Sequence, residues 1–166
     1  MRFKLMSMLA AVALLGACAT EPTTTGTAGG SAGAAPQAAA PATQAGPRPG
    51  SQEDLVKNVG DRIFYDFDKS ELRPEARRTI ERWAAWLKQY PQNTVTIEGH
   101  ADERGTREYN IALGERRATA ARNFLVSQGI DARRVATISY GKERPAVLGS
   151  NEAAWSQNRR SVMQVN

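Results

Sequence analysis

The chain has 166 residues, with 22 Lys and Arg against 17 Asp and Glu, a formal net charge of +5, and one Cys. A single cysteine excludes an intramolecular disulfide and any multi-thiolate zinc site, so whatever folds must be held by its own core. Two of the cations, Arg2 and Lys4, belong to a removable leader, so +5 becomes +3 without it; with the remaining arginines interspersed among acids, nucleic acid is not indicated as a partner.

The leader is Met1 to Ala17: the two cations, an apolar run from Met8 to Leu15, then small residues, the layout of a secretory signal peptide. It is too short to remain as a membrane span. The sequence Leu15, Gly16, Ala17, Cys18 resembles the bacterial lipobox. That resemblance implies acylation of Cys18 as the first residue of the mature chain, and Ala19, where an Asp would signal inner-membrane retention, implies sorting to the outer membrane. About two acyl chains suffice for stable anchoring, at about 0.8 kcal/mol per buried methylene. Residues 18–50 then form the acylated Cys18 and a tether of Ala, Gly, Thr, Pro, Gln and Ser with one Glu21 and one Arg48. Such a segment builds no core, and as a flexible coil it spans roughly 30 Å.

Residues 51–166 are read as one folded domain. Asp61 to Asp68 reads as a strand with Ile63, Tyr65 and Phe67 on one face and Phe64 on the other. Pro74 opens a helix whose stripe of Ala76, Ile80, Trp83, Ala84, Leu87 and Tyr90 runs to Pro91. The tryptophans are expected against a sheet, with Trp86 at the stripe's edge open to a carbohydrate-stacking reading. Val95 and Ile97 alternate with polar residues as a half-buried strand that Gly99 ends, and Gly99 to Glu108 is a polar loop.

The next helix places Ile111, Leu113, Gly114, Ala118, Ala121, Phe124 and Leu125 on one apolar arc, with Gly129 as its stop. Arg117 falls inside that arc, while Arg116 faces water. A cation on a core-facing stripe is costly unless paired. Arg117 therefore meets either an internal carboxylate, with Asp102 in the loop above the nearest candidate, or an anionic ligand at the core's rim. Together Arg117 and Asp102 suit a group bearing both a carboxylate and an ammonium. Val135 to Tyr140 is a third strand, Gly141 to Ser150 a loop, Ser150 the cap of a short helix through Gln157, and Ser161 to Val165 the last strand. The fold class is α/β: a two-layer sandwich with helices packed on a mixed four-stranded sheet.

The segments GHADERGTREYN, LGERRA, SYGKERPAVLG, EAA and NRR, spread from about Ile63 to Val165, resemble the peptidoglycan-binding signature of the OmpA-like family, in the wording of its members that act with the Tol system. The resemblance implies the same α/β layout. It implies that Asp102 and Arg117 hold the diaminopimelate of the peptidoglycan stem peptide, whose free end is such a zwitterion. It also makes Asp66, Asp68, His100, Ala101, Arg104, Asn110 and Leu113 secondary residues that contact ligand or shape the loop, Asn110 by bonding the loop backbone and Leu113 by plugging the core beneath it. The implied setting is an outer-membrane lipoprotein on the periplasmic face, inserted in the inner leaflet through acylated Cys18, with TolB and possibly TolA as partners.

Other chemistries fit the residues less well. Asp66, Asp68 and Ser70 have the start of a calcium-loop spacing, but Glu71 stands where Gly is needed and Arg77 where a bidentate Glu belongs. Glu98, His100, Asp102 and Glu103 can be drawn as a metal or acid–base cluster, yet the chain has one His and no Ser or Cys nucleophile beside a base. No cofactor and no metal are expected, and a binding protein is preferred over a wall-cleaving enzyme or an OmpA-like lipoprotein without Tol partners.

Overall fold

The computed structural model describes residues 46–166, so the expected leader, Cys18 and most of the tether lie outside the described residues. Helix α1, Gln52–Asn58, is capped by Ser51, whose side chain accepts from the Asp54 amide. Three-residue β1, Arg62–Phe64, leads to α2, Pro74–Gln89, which starts on Pro74 and buries Ala76, Ile80, Trp83, Ala84, Trp86 and Leu87. Strand β2 is Val95–His100 and helix α3 is Arg107–Ser127, capped by Thr106. A single 3-10 turn, Ala132–Arg134, precedes β3, Val135–Gly141; helix α4, Glu152–Asn158, and β4, Arg160–Val165, complete the chain.

The sheet order is β1-β4-β2-β3, with β2 and β3 parallel and the other pairs antiparallel. This is the mixed four-stranded α/β arrangement expected from the sequence. Ile63, Val95, Ile97, Val135 and Met163 point from the strands into a core shared with Ile80, Trp83 and Leu87 of α2 and Ala118, Ala121 and Leu125 of α3. The carbonyls that end α2 and its following turn, those of Leu87, Tyr90 and Asn93, accept from Arg134.

Five local features of the structure differ from the sequence reading, the last of them at Gly99. The first strand is three residues long because the chain turns away after Tyr65, with Asp68 at φ 58°, and this leaves Phe67 57% exposed rather than on the core face. Helix α1 has no counterpart in the sequence reading. Its Gln52 side chain donates to the Met163 carbonyl and accepts from the Val165 amide, extending the ladder of β4 past the point where β1 begins. Trp86 is 5% exposed and donates through Nε1 to Asp54 at 2.8 Å, so it packs against α1 and is not open to sugar stacking. The cap of α4 is Asn151, not Ser150, its side chain accepting from the Ala154 amide.

Gly99 does not end β2; the strand continues to His100 with an irregularity between the two in its pairing with β3. Its role is contact with α3: a Cβ on Gly99 would stand 1.9 Å from the carbonyl oxygen of Gly114, and one on Gly114 would stand 2.3 Å from Ser139 Oγ. Two facing glycines let α3 lie backbone-to-backbone on β2, which brings the start of the helix under the loop that follows the strand. Gly99→Ala is expected to cost about 3 kcal/mol or more, since backbone must move to admit the methyl group. Gly46→Ala, with open space around the added atom, is expected within about 0.5 kcal/mol of wild type. Urea denaturation measures both, and equal midpoints would contradict the close-approach account.

Candidate functional site

Tyr109, Leu113 and Arg117 follow one another at four-residue intervals, which stacks them on one stripe of α3. They line a cavity of about 190 Å³ together with Asn110, Phe67 and Asp68 from the loop after β1, and Asp102, Arg104 and Gly105 from the loop after β2.

Arg117 forms its floor, with 0% exposure. Its Nε donates to the Lys69 carbonyl at 2.8 Å, Nη1 to His100 at 2.8 Å and Nη2 to Asp66 at 3.2 Å. A guanidinium has five N–H bonds, so two remain without a partner among the described residues. Beneath it lies the Tyr65 ring, 5.1 Å from the guanidinium carbon, whose buried hydroxyl donates to the Arg117 carbonyl and is 3.1 Å from Ser161 Oγ. Burial pushes the Tyr65 hydroxyl up to about 12 and pulls Arg117 down to about 10, so at neutral pH the phenol is neutral and the guanidinium charged.

Asp102 and Arg117 border the same cavity, but they make no direct ion pair. Asp102 is 5% exposed and pairs elsewhere: Arg104 Nη2 reaches Oδ2 at 2.6 Å, and Arg159 Nη1 reaches it at 3.4 Å. Burial alone would raise its carboxyl; the hydrogen bonds from Arg104 and Arg159 outweigh this and hold it below the usual range. Arg159 is anchored in turn by the Tyr65 carbonyl and Glu152. An internal Asp102–Arg117 bridge, one of the two sequence readings, is absent: Asp102 pairs with Arg104 and Arg159, and the three N–H bonds that Arg117 uses go to backbone carbonyls.

The secondary residues divide. Asn110 Nδ2 donates to the carbonyls of Arg104 and Thr106, holding the loop closed, and Leu113 is 4% exposed on the cavity wall. The Asp68 carboxylate accepts from the Tyr109 hydroxyl across the cavity mouth. Asp66 presents its carbonyl to Arg117, while its exposed carboxylate stands 3.6 Å from Arg73. Ala101 is buried and its amide donates to Gly141, away from the cavity. His100 likewise does not line the cavity; only its carbonyl serves Arg117. Its ring is 2% exposed, lies 5.6 Å from the Tyr140 ring, and has no hydrogen-bond partner for either nitrogen among the described residues.

The drawn metal cluster does not assemble: Glu98 and His100 stand 3.5 Å apart, but Asp102 and Glu103 have other partners. Glu103 accepts from Trp155 Nε1, Asp102 faces arginines, and no group of three such side chains stands in metal-holding positions among the described residues. Sequence reasoning missed Phe67, Tyr109, Trp155 and Arg159 as parts of the site. Tyr109 was legible from the four-residue spacing to Leu113 and Arg117; Phe67 and Trp155 arrive from distant segments and carry no local signal, while Arg159 lies in the NRR segment that already carried the family resemblance.

Residues 64–159, which include every cavity-lining residue, match the OmpA family. The chain belongs to the OmpA family. Within that family it is 59% identical over 114 residues to a protein named peptidoglycan-associated lipoprotein from Agrobacterium fabrum, covering 69% of this chain and 64% of that one. The protein of the same name from Brucella suis is 57% identical over 118 residues, covering 71% of this chain and 70% of its own. The chain thus spans about two thirds of the length of these relatives. The crystal structure of the peptidoglycan-associated lipoprotein from Burkholderia pseudomallei is 36% identical with a TM-score of 0.64, covering 68% of this chain and 100% of that one. The C-terminal domain of Helicobacter pylori MotB, 18% identical with a TM-score of 0.60, covers 64% of this chain and 84% of its own and shares the OmpA fold.

The buried His100 behind the site of this OmpA domain, its Nε2 3.5 Å from the Glu98 carboxylate, gives a pH signature. Burial, reinforced by Arg160 and Arg144, pulls its ring from 6.5 down to about 4. The fold therefore favours the neutral ring, so the stabilisation is complete above about pH 6.5 and is lost as pH falls toward 4. The loss approaches about 1.4 kcal/mol per pH unit in that window. Glu98, raised by burial, acts in the opposite sense, so the comparison is wild type against His100→Gln. The variant is expected to show a flatter stability profile between pH 6.5 and 4.5 by urea denaturation; parallel profiles would contradict it.

Proposed function

We propose that this chain is an outer-membrane lipoprotein that holds peptidoglycan non-covalently, taking the diaminopimelate end of the stem peptide into the cavity between Asp102 and Arg117, and that it links membrane to wall within the Tol–Pal system. Its reading as three parts, a leader over 1–17, acylated Cys18 and tether over 18–50, and a wall-binding domain over 51–166, belongs to the same proposal. One observation carries the site: a buried guanidinium with two N–H bonds unused forms the floor of a cavity whose wall includes the ionised Asp102 carboxylate. The carboxylate of a zwitterionic amino-acid end matches Arg117 and its ammonium matches Asp102. The names of the OmpA relatives as peptidoglycan-associated lipoproteins support the wall as the ligand and the lipid anchor. The Tol partners, TolB and possibly TolA, rest on the resemblance of the loop wording alone.

Binding rather than catalysis is favoured by the state of the carboxylates. Asp102 is held ionised by two arginines, and Asp68 faces the Tyr109 hydroxyl; neither is placed to give a proton to a leaving group. A charge-assisted hydrogen bond contributes about 1.5 to 3 kcal/mol, so one stem peptide is a modest ligand. Many copies on a polymeric wall make the linkage durable through avidity.

Cosedimentation of the full chain with purified sacculi tests the reading. Wild type is expected to pellet with sacculi, to be released by free meso-diaminopimelate, and to liberate no soluble muropeptides. Asp102→Asn is expected to reduce binding about tenfold or more, by roughly the value of one charge-assisted bond, with thermal melting reporting that the fold persists. Wild-type binding that free diaminopimelate does not compete would overturn the site, and soluble muropeptides would favour a wall-cleaving enzyme.

A further inference from the structure

Asp102 has two guanidinium partners, and they are held differently. Arg159 is 6% exposed and fixed by Glu152 and the Tyr65 carbonyl. The Arg104 side chain is 31% exposed and, among the described residues, is held by a two-bond pair with Asp102, Nε to Oδ1 at 3.2 Å and Nη2 to Oδ2 at 2.6 Å, and by two rings: its guanidinium carbon lies 4.0 Å from the Phe67 ring and 4.0 Å from the Trp155 ring. Its backbone, by contrast, is pinned. The Arg104 amide donates to Asp102 at 3.1 Å, its carbonyl accepts from Asn110, and Lys142 Nζ donates to the carbonyls of Glu103 and Gly105 on either side. The side chain is therefore free to swing out while the loop stays in place.

Phe67, Trp155 and Asp102 together make a slot for one cation, two aromatic faces and a carboxylate. In the unliganded domain Arg104 fills it. We infer that Arg104 is a displaceable internal counter-ion that sets the affinity and selectivity of the site: a ligand's ammonium reaches Asp102 only by taking the place of the Arg104 guanidinium. This inference rests on the zwitterion-binding reading and adds a residue to it. Its consequence is discrimination. A ligand amine blocked by acylation or cross-linking has no charge with which to displace Arg104, so the site selects peptide ends whose amine is free.

The test is a calorimetric titration of the full chain in detergent with a stem tripeptide ending in meso-diaminopimelate, and with the same tripeptide acetylated on its free amine. Removing the competitor in Arg104→Gln is expected to tighten binding of the free-amine peptide about fivefold, the scale of a partly exposed ion pair. The acetylated peptide is expected to gain nothing, so the ratio between the two peptides rises by the same factor. Arg104→Lys, which keeps the charge, is expected to stay nearer wild type than Arg104→Gln does. A merely structural Arg104 would move both peptides together. If wild type binds the free-amine peptide and Arg104→Gln binds it equally or more weakly, the inference is overturned while the site reading stands. If neither protein binds it, both are overturned.

Discussion

The structure around the cavity depends on where one buried charge places its hydrogen bonds. Arg117 reaches from the middle of α3 to the carbonyls of Asp66 and Lys69 on one segment and of His100 on another. Strand β4 pairs with β1 as far as Phe64 and with β2 as far as Gly99; beyond those ends the guanidinium ties the two segments together. Lysine, a point charge without a planar fork, cannot span the same three acceptors. The cost of burying the ion is offset by these bonds and by the Tyr65 face, and what remains is a cation at the bottom of a cavity rather than on a surface.

From that constraint the rest of the site follows. The Gly99 and Gly114 contact brings α3 close enough for Arg117 to touch the end of β2. Asp102, two residues beyond His100, is then held over the same cavity, and Arg104 and Arg159 keep it ionised. The site thus holds an acid and a base that do not neutralise each other, each facing the same space. Two opposite charges kept apart by their own partners suit a zwitterion better than an anion or a cation alone, and this is the physical content of the proposed specificity.

Much of this was legible in the sequence, for identifiable reasons. The stripe from Ala76 to Tyr90 and the arc from Ile111 to Leu125 predicted two core helices because burial imposes the 3.6-residue period directly on residue choice. An arginine inside that arc stood out for the same reason. Its partners did not, because carbonyls of Asp66, Lys69 and His100 leave no mark on side-chain identity. Gly99 was read as a strand breaker when its task is close packing; the two roles require the same missing Cβ. Phe67 looked like a core residue by alternation with Ile63 and Tyr65, but alternation holds only while the chain stays in the sheet. Helix α1 and the Trp86–Asp54 bond escaped for a related reason, since a seven-residue helix held by long-range polar contacts carries little periodicity of its own.

A crystal structure of the domain with a stem tripeptide ending in meso-diaminopimelate is the most direct measurement of the central claim. The account predicts the terminal carboxylate within hydrogen-bond distance of Arg117 and the ammonium against Asp102, with Arg117 still bonded to the three carbonyls. A peptide seated elsewhere on the domain, or lying over the cavity without contact to either side chain, would contradict it.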